Sequence, residues 1–221
     1  MHTHHTTIQK TVRYFTIGKP TPQVKHLWVC LHGYGQLADW FGKRFEKWAS
    51  KERMFLFPEG PHRFYTDGTS GRVGASWMTR EDRLNDINDQ FNYLENLVGA
   101  FRAKLPADCK IHVLGFSQGV ATAFRWVDRS QLPFASLIAW AGTFPPDIEY
   151  AIKKERFNAL KLHACFGDED EYISTEGAQK LVAQLAEQHI GVTPHFYKGS
   201  HRLYLDLLAE VINACEQPEH A

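Results

Sequence analysis

The sequence predicts an α/β domain with a mostly parallel central sheet and helices on both faces. Three observations carry that expectation. Short apolar runs alternate with helical patterns along the chain. Several of those runs are almost continuously apolar, as strands covered on both faces must be. One of them ends in a glycine-flanked serine that opens a helical segment.

The candidate strands are Thr11–Ile17, His26–His32, Arg53–Phe57, Lys110–Gly115, Ala135–Trp140, Leu160–Gly167 and Thr193–Lys198. The link Gly18–Lys25 is too short for a helical crossover, so the first strand is expected to be antiparallel. Asp39–Ser50 is expected as a helix between the second and third strands. Leu84, Ile87, Phe91, Leu94, Val98, Phe101 and Leu105 recur at spacings of three and four, which makes an amphipathic helix with Pro106 just beyond it. Gln118–Asp128 supplies another. Ala178, Leu181, Val182, Leu185 and Ala186 mark a third, with Ser174 and Thr175 as candidate caps. Leu203, Leu207, Leu208, Val211 and Ile212 mark the last. The stretch His62–Ala75, rich in Gly, Ser and Thr with two arginines, reads as a long loop, either a lid over a site or a surface insertion. The expected organisation is a flexible N-terminal tail over 1–10, a single domain over 11–216 and a C-terminal tail over 217–221.

Composition narrows the function. The 221 residues carry 25 basic and 25 acidic side chains, a formal net charge of zero, which gives no sign of a nucleic-acid partner. No apolar run approaches the roughly 20 residues of a membrane span, so no stable membrane insertion is expected. Met1-His-Thr-His-His-Thr-Thr has no apolar segment after it and does not read as a secretory signal. Cys30, Cys109, Cys165 and Cys215 form no CxxC pair and read as buried reduced thiols, which points to a cytoplasmic protein.

Gly115-Phe116-Ser117-Gln118-Gly119 carries the chemistry. A G-x-S-x-G between a strand and a helix is a nucleophile elbow, with Ser117 raised above the sheet and the helix N-terminus facing a developing oxyanion. A serine hydroxyl needs a base, and the base an orienting carboxylate, in the chain order Ser, acid, His. Of twelve histidines, seven precede Ser117. His163 lies in a strand, His189 ends a helical pattern, His195 lies in the last strand and His220 in the tail. His201, just past the last strand and at the start of the last helix, is the candidate base. The acid should follow Leu160–Phe166, where Asp168, Glu169, Asp170 and Glu171 all qualify by spacing. Leu31-His32-Gly33-Tyr34-Gly35 follows an earlier strand and is expected to complete an oxyanion hole, with the amides of Tyr34 and Gln118 as donors.

Leu31-His-Gly-Tyr-Gly, Gly74-Ala-Ser-Trp77, Gly115-Phe-Ser-Gln-Gly, Gly167-Asp-Glu-Asp-Glu-Tyr-Ile173 and Gly-Ser-His201 together resemble the small carboxylesterase, lysophospholipase and acyl-protein thioesterase family of α/β-hydrolases. The resemblance spans roughly residues 26 to 215. It implies the α/β-hydrolase fold and, through the family pattern Gly-x-x-Asp-x-x-Val, puts the catalytic acid at Asp170. Two departures stand out: Gln36 where the family usually has an acidic residue, and a compact Lys198-Gly-Ser turn before His201.

The expected activity is hydrolysis of carboxylic esters of short to medium acyl chains by a Ser-His-Asp acyl-enzyme mechanism. Lysophospholipase or acyl-protein thioesterase activity is the alternative within enzymes. A catalytically silent protein holding acyl or aromatic ligands is the alternative from another class. Phe64, Tyr65, Trp77, Met78, Trp140 and Phe144 are candidates for an apolar groove, and Trp77, in a family-matched segment, is the expected substrate contact. Arg63, Arg72 and Arg80 face either a phosphate head group or solvent. The expected partner is a small ester or thioester, with no metal or organic cofactor, and a homodimer is left open.

Overall fold

A computed structural model describes residues 1–218. A seven-stranded sheet in the order β1-β3-β2-β6-β7-β8-β9 forms its centre. Its strands are β1 (Tyr14–Ile17), β2 (His26–Leu31), β3 (Arg53–Pro58), β6 (Lys110–Phe116), β7 (Phe134–Trp140), β8 (Lys161–Gly167) and β9 (Thr193–Tyr197). All neighbours are parallel except β1, which runs antiparallel to β3 and starts three residues later than expected.

Strand alternation splits each buried strand between two cores. Leu27, Val29, Ile111, Val113, Leu137, Leu162 and Ala164 face one side. There they meet α2 (Arg83–Arg102), α3 (Gln118–Arg129), α4 (Tyr150–Asn158) and α5 (Thr175–Glu187). Trp28, Cys30, Leu114, Ile138, Trp140 and Cys165 face the other. They meet α1 (Ala38–Gly42), the 3-10 turn Lys43–Trp48 and α6 (Leu205–Glu216). Helices on both faces make the continuous apolar runs obligatory. The four cysteines are buried and unbridged. A polar thread crosses the second core, where the His112 ring stacks on Trp28 and lies 3.0 Å from His26 Nδ1 and 2.8 Å from Ser136 Oγ. Burial depresses the His112 pKa to about 3.

Four elements differ from the sequence expectation. The expected loop over 62–75 is an antiparallel hairpin, β4 (His62–Asp67) and β5 (Ser70–Ser76), outside the main sheet. The expected helix over 39–50 is one turn of α-helix followed by a 3-10 turn. Helix α4 goes unrecognised in the sequence because, in YAIKKERFN, Phe157 alone is buried. Leu84 opens α2 yet points to solvent, and Leu105 is buried just after that helix ends. The Ser174 cap is present, its hydroxyl accepting the Gly177 amide at 3.1 Å. Among the described residues no helix is long and apolar enough to cross a membrane. Residues 219–221, with His220 and most of the expected C-terminal tail, lie outside the described residues.

The chain leaves β2 toward β3 on one side and returns to β6 on the other. The loops after β2 and β6 therefore flank the crevice where open α/β sheets bind ligands.

Candidate active site

Ser117 occupies the turn between β6 and α3 with φ 53° and ψ −118°, a conformation non-glycine residues seldom adopt. Its neighbours explain how the chain tolerates it. A Cβ on Gly115 would come within 2.5 Å of the Gly119 carbonyl oxygen, and one on Gly119 would strike the Leu31 carbonyl. Glycine at both positions lets strand, turn and helix approach this closely. The Ser117 amide donates to Trp140 O at 2.9 Å, while its side chain makes no capping bond to α3. The hydroxyl is thus left to other partners. The Gln118 amide is the first of α3 and has no carbonyl four residues back within the helix.

His201 Nε2 lies 2.9 Å from Ser117 Oγ, and His201 Nδ1 lies 2.8 Å from Asp170 Oδ2. The other Asp170 oxygen accepts the amides of Tyr172 and Ile173 at 2.8 and 3.0 Å. With its side chain only 1% exposed, Asp170 is an acceptor fixed on both oxygens. Nδ1 of His201 must then carry the proton, which turns the Nε2 lone pair toward the serine. The structure brings together Ser117, Asp170 and His201, and leaves Asp168 away from the imidazole.

Two of the three remaining carboxylates of the acidic loop hold the turn that carries the same histidine. Asp168 Oδ1 accepts the Gly199 amide at 2.9 Å, and Glu171 Oε2 accepts the His201 amide at 3.2 Å. The Ser200 amide donates to the Tyr204 hydroxyl at 2.9 Å, and Trp140 Nε1 donates to Arg202 O at 3.0 Å. Four side chains thus hold the compact turn 198–202. None is visible as such in the sequence, where Asp168 and Glu171 look like solvated charges and Trp140 like core or groove lining. His201 itself lies in this turn, four residues before α6 begins, and not at the start of the helix.

A second network builds the loop after β2. His32 is fully buried, and its Nδ1–H donates to Gly33 O at 2.8 Å while Nε2 accepts the Gly60 amide at 2.9 Å. Burial lowers its pKa, which keeps the ring neutral and both bonds intact. Gln36 Oε1 accepts the Gly33 amide at 3.0 Å, a bond an acidic side chain could equally make. The Gly35 amide donates to Ala75 O at 2.8 Å and the Ala75 amide to Gln36 O at 3.1 Å, stapling the loop to β5. The Gly33, Gly35 and Gln36 amides are engaged, while Tyr34 N has no partner among the described residues.

The Gln118 side chain makes contacts of its own. Its Oε1 accepts the Trp77 amide at 3.0 Å and its Nε2 donates to Met78 O at 2.8 Å, so α3 is tied to the end of β5. Trp77 itself corrects the sequence reading. Its ring is fully buried, lies tilted against the His32 ring at 5.1 Å and donates Nε1–H to His32 O at 2.8 Å. A side chain without exposed surface offers a substrate nothing; Trp77 supports the loop that carries Tyr34. Trp140 and Phe144 are likewise buried, whereas Phe64 and Met78 are half-buried and Tyr65 is exposed. The Phe64 ring lies tilted against the Tyr34 ring, 5.0 Å between centroids. Arg63, Arg72 and Arg80 are exposed. Among the described residues no three His, Cys, Asp or Glu side chains are grouped to hold a metal ion.

The arrangement can activate a hydroxyl, hold the resulting imidazolium and present two amides to an oxyanion. A family model described as phospholipase/carboxylesterase matches residues 12–216. Among solved structures, acyl-protein thioesterase 2 of Zea mays is 18% identical, with a TM-score of 0.72 over 92% of this chain and 98% of its own. A phospholipase/carboxylesterase of Dyadobacter fermentans is 20% identical, with a TM-score of 0.66 over 96% and 99%. At these identities the likeness is one of fold. No curated protein matches the sequence.

Proposed function

The chain belongs to the phospholipase/carboxylesterase family and is an ester or thioester hydrolase, and from that premise we propose that it cleaves carboxylic esters through an acyl-enzyme on Ser117. The observation that carries this reading is the unbroken line Ser117 Oγ, His201 Nε2, His201 Nδ1, Asp170 Oδ2, at 2.9 and 2.8 Å. His201 takes the proton as Ser117 Oγ attacks the carbonyl carbon, and Asp170 stabilises the imidazolium. The oxyanion is held by the amides of Tyr34 and Gln118. His201 then gives its proton to the leaving oxygen or sulfur, and a water molecule repeats the sequence to release the acid. Losing one such oxyanion donor costs about 3 kcal/mol of transition-state stabilisation.

Short to medium acyl chains are the proposed substrates, with the half-buried Phe64 beside Tyr34 and the half-buried Met78 beside Gln118 as the apolar surface they would meet. Four buried, unbridged thiols suit a reducing compartment, and the cytoplasm is the proposed setting. The test is a 4-nitrophenyl ester series from acetate to palmitate, with Ser117→Ala beside the wild type. Activity should peak at short to medium chains and fall about a millionfold in the variant. Turnover that survives in a folded Ser117→Ala protein would end this reading. An optimum at palmitate would instead favour a lysolipid or acyl-protein substrate.

A further inference from the structure

Tyr172 is a large aromatic side chain held in solvent beside the catalytic imidazole. The residue is 80% exposed, and its ring stands 4.6 Å from the His201 ring at 65°. Its position is set by the backbone, because the amides of Tyr172 and Ile173 both bind Asp170 Oδ1 and the Ile173 side chain is buried beneath. The hydroxyl of Tyr172 makes no hydrogen bond among the described residues. Phe116, the other ring in contact with His201 at 5.2 Å, is buried. Tyr172 is therefore the accessible aromatic surface continuous with the imidazole.

We infer that Tyr172 is a specificity-determining residue that packs against the leaving group and selects flat, neutral or cationic alcohols and thiols. The inference rests on the acyl-enzyme reading above. In that reaction His201 Nε2 gives its proton to the leaving heteroatom as the carbon–oxygen or carbon–sulfur bond breaks. The leaving group must then lie along the imidazole, within reach of the ring that touches it. An aromatic ring there favours a planar partner by stacking or edge contact. Charge sets the second preference. Asp168, Glu169 and Glu171 are exposed on the same loop, against two cations in the adjoining turn, Lys198 and Arg202, the latter with its Nε bound to the Tyr204 hydroxyl at 3.2 Å. An anionic leaving group would meet a negative surface.

The test compares phenyl butyrate with trifluoroethyl butyrate, which share an acyl group and differ in the leaving group. For Tyr172→Ala, kcat/KM on the phenyl ester should fall about tenfold, and on the trifluoroethyl ester less than about twofold. Deacylation occurs after the leaving group has departed, so its rate should be unchanged. Tyr172→Phe should behave as wild type. Equal losses on both esters, or slowed deacylation, would mean that Tyr172 only supports His201 and would overturn the inference, as would no loss at all. A measurement on the wild type alone gives a second test. A para-carboxylate on the phenyl ring activates the phenol, yet it should lower kcat/KM; a rise would also overturn the inference. Failure of the underlying mechanism would look different, because no butyryl group would then be found on Ser117.

Discussion

Replacing Asp170 by asparagine changes almost no volume and should remove nearly all activity, for a reason that lies in its partners. One carboxylate oxygen accepts two backbone amides at 2.8 and 3.0 Å, and the other faces His201 Nδ1 at 2.8 Å. An asparagine must keep its carbonyl oxygen on the two amides, since the reverse orientation would set N–H against N–H. Its NH2 group then points at Nδ1 and donates to it. The imidazole is driven to the tautomer with the proton on Nε2, which can no longer accept from Ser117 Oγ. The expected loss in kcat/KM is about 10⁴-fold, or about 5.5 kcal/mol of transition-state stabilisation. Asp168→Asn is the matched control. Its carbonyl still accepts the Gly199 amide, so the loss should stay within about tenfold. Phenyl butyrate hydrolysis at neutral pH, with circular dichroism to verify folding, measures both. A silent Asp168→Asn enzyme beside an active Asp170→Asn one would refute the reasoning.

Three further outcomes follow from the supporting networks. A Cβ at position 74 would lie 2.6 Å from the Gly35 carbonyl oxygen, so Gly74→Ala should displace the loop bearing Tyr34 and lower kcat/KM at least about tenfold, with secondary structure retained by circular dichroism. Trp77→Phe keeps most of the buried ring but leaves the His32 carbonyl without its indole donor, and should cost about 1–3 kcal/mol in urea unfolding. His112, with its pKa held at about 3 against 6.5 when unfolded, binds fewer protons folded than unfolded between those values. Stability should therefore fall as pH drops below 6.5, by about 2 kcal/mol from this residue at pH 5, and His112→Gln should show a shallower loss between pH 7 and 5.

What the sequence reveals follows from how local each cause is. Strands β2, β6, β7 and β8 are legible because burial on both faces forces apolar residues into consecutive positions. The hairpin β4–β5 is not, since most of its residues are exposed and its purpose, stapling Gln36 through Ala75, lies far along the chain. Ser117 and His201 are recognisable from a turn that needs glycine and from chain order. Asp170 is not separable by spacing from three adjacent carboxylates; two of these, Asp168 and Glu171, bind amides of the histidine turn. Trp77 shows the opposite error. An aromatic residue in a predicted loop suggests a binding surface, and nothing local reveals that its indole N–H belongs to the His32 carbonyl. Gln118, chosen for its amide, ties α3 to the end of β5 through a side chain whose partners are remote in sequence.

Ser117 should become acylated during turnover, and the mass of the protein after brief exposure to a fluorophosphonate ester or to phenyl butyrate under acid quench shows whether it does. A single added phosphonyl or butyryl group is expected, mapped by peptide sequencing to Ser117 and absent from Ser117→Ala. Modification at another residue, or hydrolysis undiminished in the folded variant, would contradict it.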